Sequence, residues 1–143
     1  MRLDKLSKLF LYKREFEIIA SIVNAFSLQI DWQYESFKNE RLFKKNFEKK
    51  FHFQLIELGY LISEIWSAGH NLEHANMVEE ICIFFFQEQI PNKPLVIYTA
   101  LTECAKNFED YEISIIAGVS RQELDNTIKE FKEKIVNIIK ERN

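Results

Sequence analysis

Glycine and proline are scarce, with three and two copies in 143 residues. So few of them leave little room for tight turns, and too few glycines for most phosphate-cradling loops. Cysteine is limited to Cys82 and Cys104, both in strongly apolar stretches. They read as buried, reduced thiols, and nothing points to an oxidising compartment. No apolar run approaches the length of a membrane span. The patch Ile18-Ile19-Ala20-Ser21-Ile22-Val23 is short, lies behind Asp4, Lys13, Arg14, Glu15 and Glu17, and lacks the form of a signal peptide. A cytoplasmic protein with no membrane partner is expected. Positive charge is also in deficit: 19 Lys and Arg against 22 Asp and Glu give −3. General nucleic-acid binders are normally basic, so nucleic acid is not an expected partner.

What is present is apolar and helical in rhythm. The apolar fraction is 47 %, including 13 Phe, which is ample for one core. A chain of this length forms one domain and buries roughly two-thirds of its unfolded surface. Apolar residues recur at three- and four-residue spacing, which predicts an all-α, single-domain bundle of five or six helices over residues 1–143.

The first helix is expected from about Asp4 to Leu28, with Leu6, Leu9, Phe10, Phe16, Ile19, Val23 and Phe26 on one face. A connection over 29–35 carries Trp32 and Tyr34. A long second helix, about Ser36 to Ala68, bears Phe43, Phe47, Phe51, Leu55, Leu58, Ile62 and Ile65. It bends near His52 or Gly59 and is capped by Gly69. A third runs from Asn71 to about Gln89. Its segment Ile81-Cys82-Ile83-Phe84-Phe85-Phe86 has strand-like composition but no evident strand partner, and is read as the central helix. Pro94 suits the first position of a fourth helix, with Leu95, Tyr98, Leu101, Ala105 and Phe108 on one side. A short helix follows Asp110 and ends at Gly118. Ser120 and Glu123 then form a capping box for the last helix, whose stripe is Leu124, Ile128, Phe131, Ile135 and Ile138.

No catalytic pattern stands out. His70, Glu73 and His74 spell H-x-x-E-H, the order used by inverted zinc proteases. Gly69 and the cap Asn71 place His70 in a turn, and no third ligand is singled out. The Glu-x-x-His pairs of two-iron bundles and the Gly-x-Ser-x-Gly elbow are missing. The expectation is a protein without enzymatic activity, metal or cofactor.

Three features bear on binding. Residues 115–124 look like the turn of a helix-turn-helix motif, with Arg121, Gln122 and Asn126 as candidate readers, but Glu123 and Asp125 would repel phosphates. Lys38, Arg41, Lys44, Lys45, Lys49 and Lys50 against Glu40 and Glu48 give +4, leaving −7 for the rest of the chain. The phenylalanines among these cations read as a core stripe beneath a solvated face. The acids Glu73, Glu79, Glu80 and Glu88, then Glu103, Glu109, Asp110 and Glu112, read equally as a patch that steers a cationic partner and as plain solubilising charge.

The segment Tyr60-Leu61-Ile62-Ser63-Glu64-Ile65-Trp66-Ser67-Ala68-Gly69, followed by Leu72 and Glu73, resembles a signature of bacterial immunity proteins that guard against polymorphic toxins. There a helix ends in an aromatic-Ser-x-Gly turn and a second helix follows. The resemblance implies a small helical protein that neutralises a cognate toxin, often a nuclease, by stoichiometric binding. Glu73, Glu79, Glu80, Glu109, Asp110 and Glu112 would then contribute to the partner surface, with Tyr111 as an aromatic anchor and Trp66 mainly in the core. The alternative reading is a helix-turn-helix DNA-binding regulator. An exposed helical stripe would also allow a homodimer.

Overall fold

The computed structural model of the chain describes residues 8–71, 80–84 and 90–142. Among them are six α-helices, so the chain is an all-α helical bundle, as the spacing of its apolar residues predicts. Helix α1, Lys13–Ser36, is the centre. Its residues Phe16, Ile18, Ile19, Ile22, Val23, Phe26 and Ile30 are buried, its Phe26 and Tyr34 rings meet rings of the helix that follows it in the chain, and it packs against four further helices. Those four are α3, Leu55–Asn71, α4, Lys93–Asn107, α5, Asp110–Ala117, and α6, Arg121–Arg142.

Two boundaries of α1 differ from expectation. It begins at Lys13 because the Glu15 carboxylate accepts the Tyr12 N–H at 3.2 Å, closing the first turn there. It continues through 29–36 because Ile30 is buried and the Tyr34 ring meets Phe43 edge-on, with centroids 5.2 Å apart. Trp32 therefore sits on a helix, almost wholly exposed.

The residues before α1 form a strand. β1, Lys8–Tyr12, pairs antiparallel with β2, Glu80–Phe84, in the register Lys8↔Phe84, Phe10↔Cys82 and Tyr12↔Glu80. The expected central helix over 71–89 is thus corrected at 80–84, where the run is a strand. The rest of that helix, 72–79 and 85–89, lies outside the described residues, as do residues 4–7 of the expected first helix. A two-stranded ribbon is marginal alone. This one packs on α1 and places Leu11 in the core.

The long second helix divides in two. α2, Glu40–Phe51, ends at His52 in the left-handed conformation, with φ of 67°. The break carries Phe53 into the core, against Phe47 at 5.4 Å between centroids. α3 then runs without interruption past Gly59 and Gly69 to Asn71, so Gly69 is not a cap and His70 lies on the helix. A Cβ at Gly59 would meet no heavy atom within 4 Å. Gly59→Ala should therefore raise stability by about 1 kcal/mol through helix propensity, or about 3 °C in Tm, as thermal unfolding would reveal.

Buried ionic groups join α3 to α4. Glu57 accepts from the Gln54 N–H at 2.8 Å and from the Asn92 N–H at 3.0 Å. Lys93, fully buried at the first position of α4, reaches Glu64 at 2.7 Å. The buried face of α4 is Val96, Ile97, Ala100, Leu101 and Cys104, rotated from the expected one, and Leu95 is exposed. The Cys104 thiol sits 3.7 Å from the Ile22 carbonyl, and burial pushes its pKa up to about 12, so it stays protonated and inert.

Candidate functional site

The α5–α6 unit is the best-defined surface feature. Eight residues of α5 are followed by Gly118, Val119 and Ser120, and α6 starts at Arg121. Gly118 has φ of 66° and ψ of 26°, the left-handed position that glycine occupies without penalty. The Ser120 hydroxyl accepts the Glu123 N–H at 3.1 Å, which caps α6. Ile113, Val119 and Leu124 are buried and lock the two helices together across the turn.

Two arginines brace this unit. Arg14, in the first turn of α1, donates to the Gly118 carbonyl at 3.3 Å and lies 3.7 Å from the Glu123 carboxylate. Arg121 donates to the carbonyls of Ala105 and Phe108 and pairs with the Asp110 carboxylate. The two carbonyls belong to the end of α4, where the last turn of a helix lacks backbone donors. Lys134 adds a link from α6 to Glu15 of α1 at 3.0 Å.

Of the exposed side chains at the start of α6, Gln122, Asp125, Asn126 and Lys129 form one stripe, with Glu123 off it facing Arg14. Their spacing of three, four and seven places them on a single helical face. Gln122 and Asn126 match the expected readers. Arg121 does not, because its guanidinium is engaged by α4 and α5.

The expected acidic surface is only partly brought together. Glu109, Asp110, Tyr111 and Glu112 adjoin at the start of α5. Glu112 accepts the Glu109 N–H at 3.0 Å as a cap, and Asp110 is paired with Arg121. Glu80 opens β2, a different element. Glu73 and Glu79 lie outside the described residues. Tyr111 is 67 % exposed beside Ile115 at 79 %. Trp66 is 69 % exposed on α3, which corrects its expected place in the core. Trp66-Ser67-Ala68-Gly69 is helical in this chain, so the turn implied by the immunity-protein resemblance is not formed at Gly69.

Comparison with known protein families, curated proteins and solved structures finds no match to this chain.

Other candidate chemistry is sparse. His74 lies outside the described residues, and among those described no three His, Cys, Asp or Glu residues could together hold a metal ion. Among them, too, no helix is long and apolar enough to cross a membrane. On α2, Phe43 and Phe47 are buried while Arg41, Lys44, Lys45, Lys49 and Lys50, with Lys38 just before the helix, are exposed, the core stripe under a solvated face. Tyr34 near the C-terminal end of α1 holds Phe43, whereas Arg14 at its other end holds Gly118. The basic helix therefore meets α1 from Phe26 to Tyr34, whereas Arg14 ties the α5–α6 unit to its first turn. Arg14 is the contributor that sequence reasoning missed. No local pattern could have flagged it, because the Gly118 carbonyl it holds lies 104 residues away along the chain.

Proposed function

We propose that this protein is a DNA-binding regulator that docks the first turns of α6 in the major groove of a duplex. The observation that carries this reading is the three-residue turn with left-handed Gly118, braced from below by buried Ile113, Val119 and Leu124. Two helices joined by such a turn are the unit that presents a second helix to a groove. The exposed stripe Gln122, Asn126 and Lys129 supplies hydrogen-bonding side chains where base edges would lie.

Local acidity opposes this reading less than the sequence suggests. Glu123 is balanced by Arg14, Asp110 by Arg121, and Glu112 is engaged as a cap, which leaves Asp125 as the exposed acid on the stripe itself. With few cations beside α6, about two or three phosphates would be neutralised. The slope of log affinity against log salt should then be about −2 to −3, shallow for a DNA binder.

The test is selection of duplexes from a randomised library, followed by titration at several salt concentrations. A motif should be enriched, and Lys129→Ala should weaken every duplex alike while reducing the salt slope by about 1. A library that returns no motif, and no salt-dependent binding, overturns the proposal.

A second reading, neutralisation of a protein toxin, is favoured by the exposed aromatics Tyr111 and Trp66. Such rings anchor protein interfaces. Recovery of a stoichiometric complex with a toxin domain, lost in Tyr111→Ala, would put that reading first.

A further inference from the structure

Resting on the DNA-binding reading, we infer that α6 recognises adenine through the paired amides Gln122 and Asn126, and that Arg121 positions the helix without touching a base. Arginine at the start of a reading helix ordinarily suggests guanine, since its fork matches the N7 and O6 acceptors. Here the guanidinium already serves three acceptors on two other elements: the Ala105 and Phe108 carbonyls closing α4, and the Asp110 carboxylate opening α5. Swinging it into a groove would leave the end of α4 without donors and Asp110 without its partner. It is a brace that fixes where α6 leaves the turn.

The exposed groups left on the first two turns are Ser120, whose hydroxyl caps α6, Gln122, Glu123, which faces Arg14, Asp125, Asn126 and Lys129. Lysine supplies a point charge suited to phosphate. The two amides can each donate and accept in one plane, as adenine N7 and its N6 amine require. Four residues apart, Gln122 and Asn126 are neighbours on the helix surface, about 5–6 Å between Cβ atoms. That separation is between one and two base-pair steps. The two amides therefore select two A·T pairs that are adjacent or nearly so; no free guanidinium is left for guanine, and Asp125 beside them can only accept from a base amine.

The experiment compares the duplex motif selected by the full chain with those selected by Gln122→Ala, Asn126→Ala and Arg121→Lys. The wild type should enrich adenine at two positions. Each amide variant should flatten the preference at one of them, with about a tenfold loss on the wild-type motif and no change in Tm. Arg121→Lys should lower Tm and weaken all duplexes alike, leaving base preferences intact. Loss of a guanine preference in Arg121→Lys, or unchanged preferences in both amide variants, overturns this inference while the DNA-binding reading stands. Absence of any motif for the wild type overturns both.

Discussion

Lys93→Ala should lower the unfolding free energy by about 3–5 kcal/mol, the largest single effect expected in the helical core. The side chain is fully buried at the first position of α4, with its ammonium 2.7 Å from one Glu64 oxygen and 2.6 Å from the other. Alanine removes Cγ, Cδ, Cε and the ammonium from a packed site and unpairs the carboxylate. Lys93→Met keeps most of that volume. Glu64 is 24 % exposed but its Oε2 is buried, so Met leaves one carboxylate oxygen unpaired and should cost about 2–3 kcal/mol. Urea unfolding of the three proteins separates the packing loss from the charge loss.

The same pair gives a pH signature. Burial holds the Lys93 ammonium below the ordinary lysine value of 10.5, with the hydrogen bond and charge of Glu64 working the other way. Between the lowered value and 10.5 the unfolded chain binds more protons than the folded one, so stability rises with pH across that window. Below the window both states are protonated and the contribution is flat. Subtracting the Lys93→Met curve from the wild-type curve should leave this alkaline rise; a flat difference would mean that the ammonium is not destabilised by burial.

The helices were legible because their signals are local. Phe43 and Phe47 at spacing four, Leu124 and Phe131 at spacing seven, and the left-handed glycine at 118 each depend on neighbours within a turn or two. The ribbon was not legible for the opposite reason. Lys8–Tyr12 and Glu80–Phe84 share an ambiguous apolar pattern, and only their mutual pairing makes either a strand. The division between α2 and α3 shows a tertiary contact overriding a continuous stripe. Burial of Phe53 outweighs the left-handed conformation imposed on His52.

The candidate site divides in the same way. Gly118, Ser120, Gln122 and Asn126 could be read from order and spacing alone. The engagement of Arg121 could not, because its acceptors are two backbone carbonyls of α4, and carbonyls leave no mark on a sequence. The acids of α5 looked like free negative potential, yet Glu112 and Asp110 have local partners. Net charge therefore misjudged this surface, where pairing matters more than the count.

Gly118→Val should cost about 2 kcal/mol and weaken binding to the selected duplex by about tenfold, the equivalent of one lost base contact. A Cβ at Gly118 would meet no heavy atom within 4 Å, so the penalty is one of backbone conformation, not of crowding. At φ of 66° a β-branched residue is strained, and the strain is relieved by shifting the turn. Any shift moves Val119 and Leu124 from their buried seats and re-aims α6, because the turn is only three residues long. Gly118→Asn is the control: asparagine tolerates the left-handed region, so stability should change by only a few tenths of a kcal/mol and binding should persist. Thermal unfolding and fluorescence anisotropy on the same variants separate the two effects. Full duplex affinity in Gly118→Val, measured well below its Tm, would show that the direction of α6 does not depend on this turn, and the docking geometry would have to come from its contacts with α1 and α4.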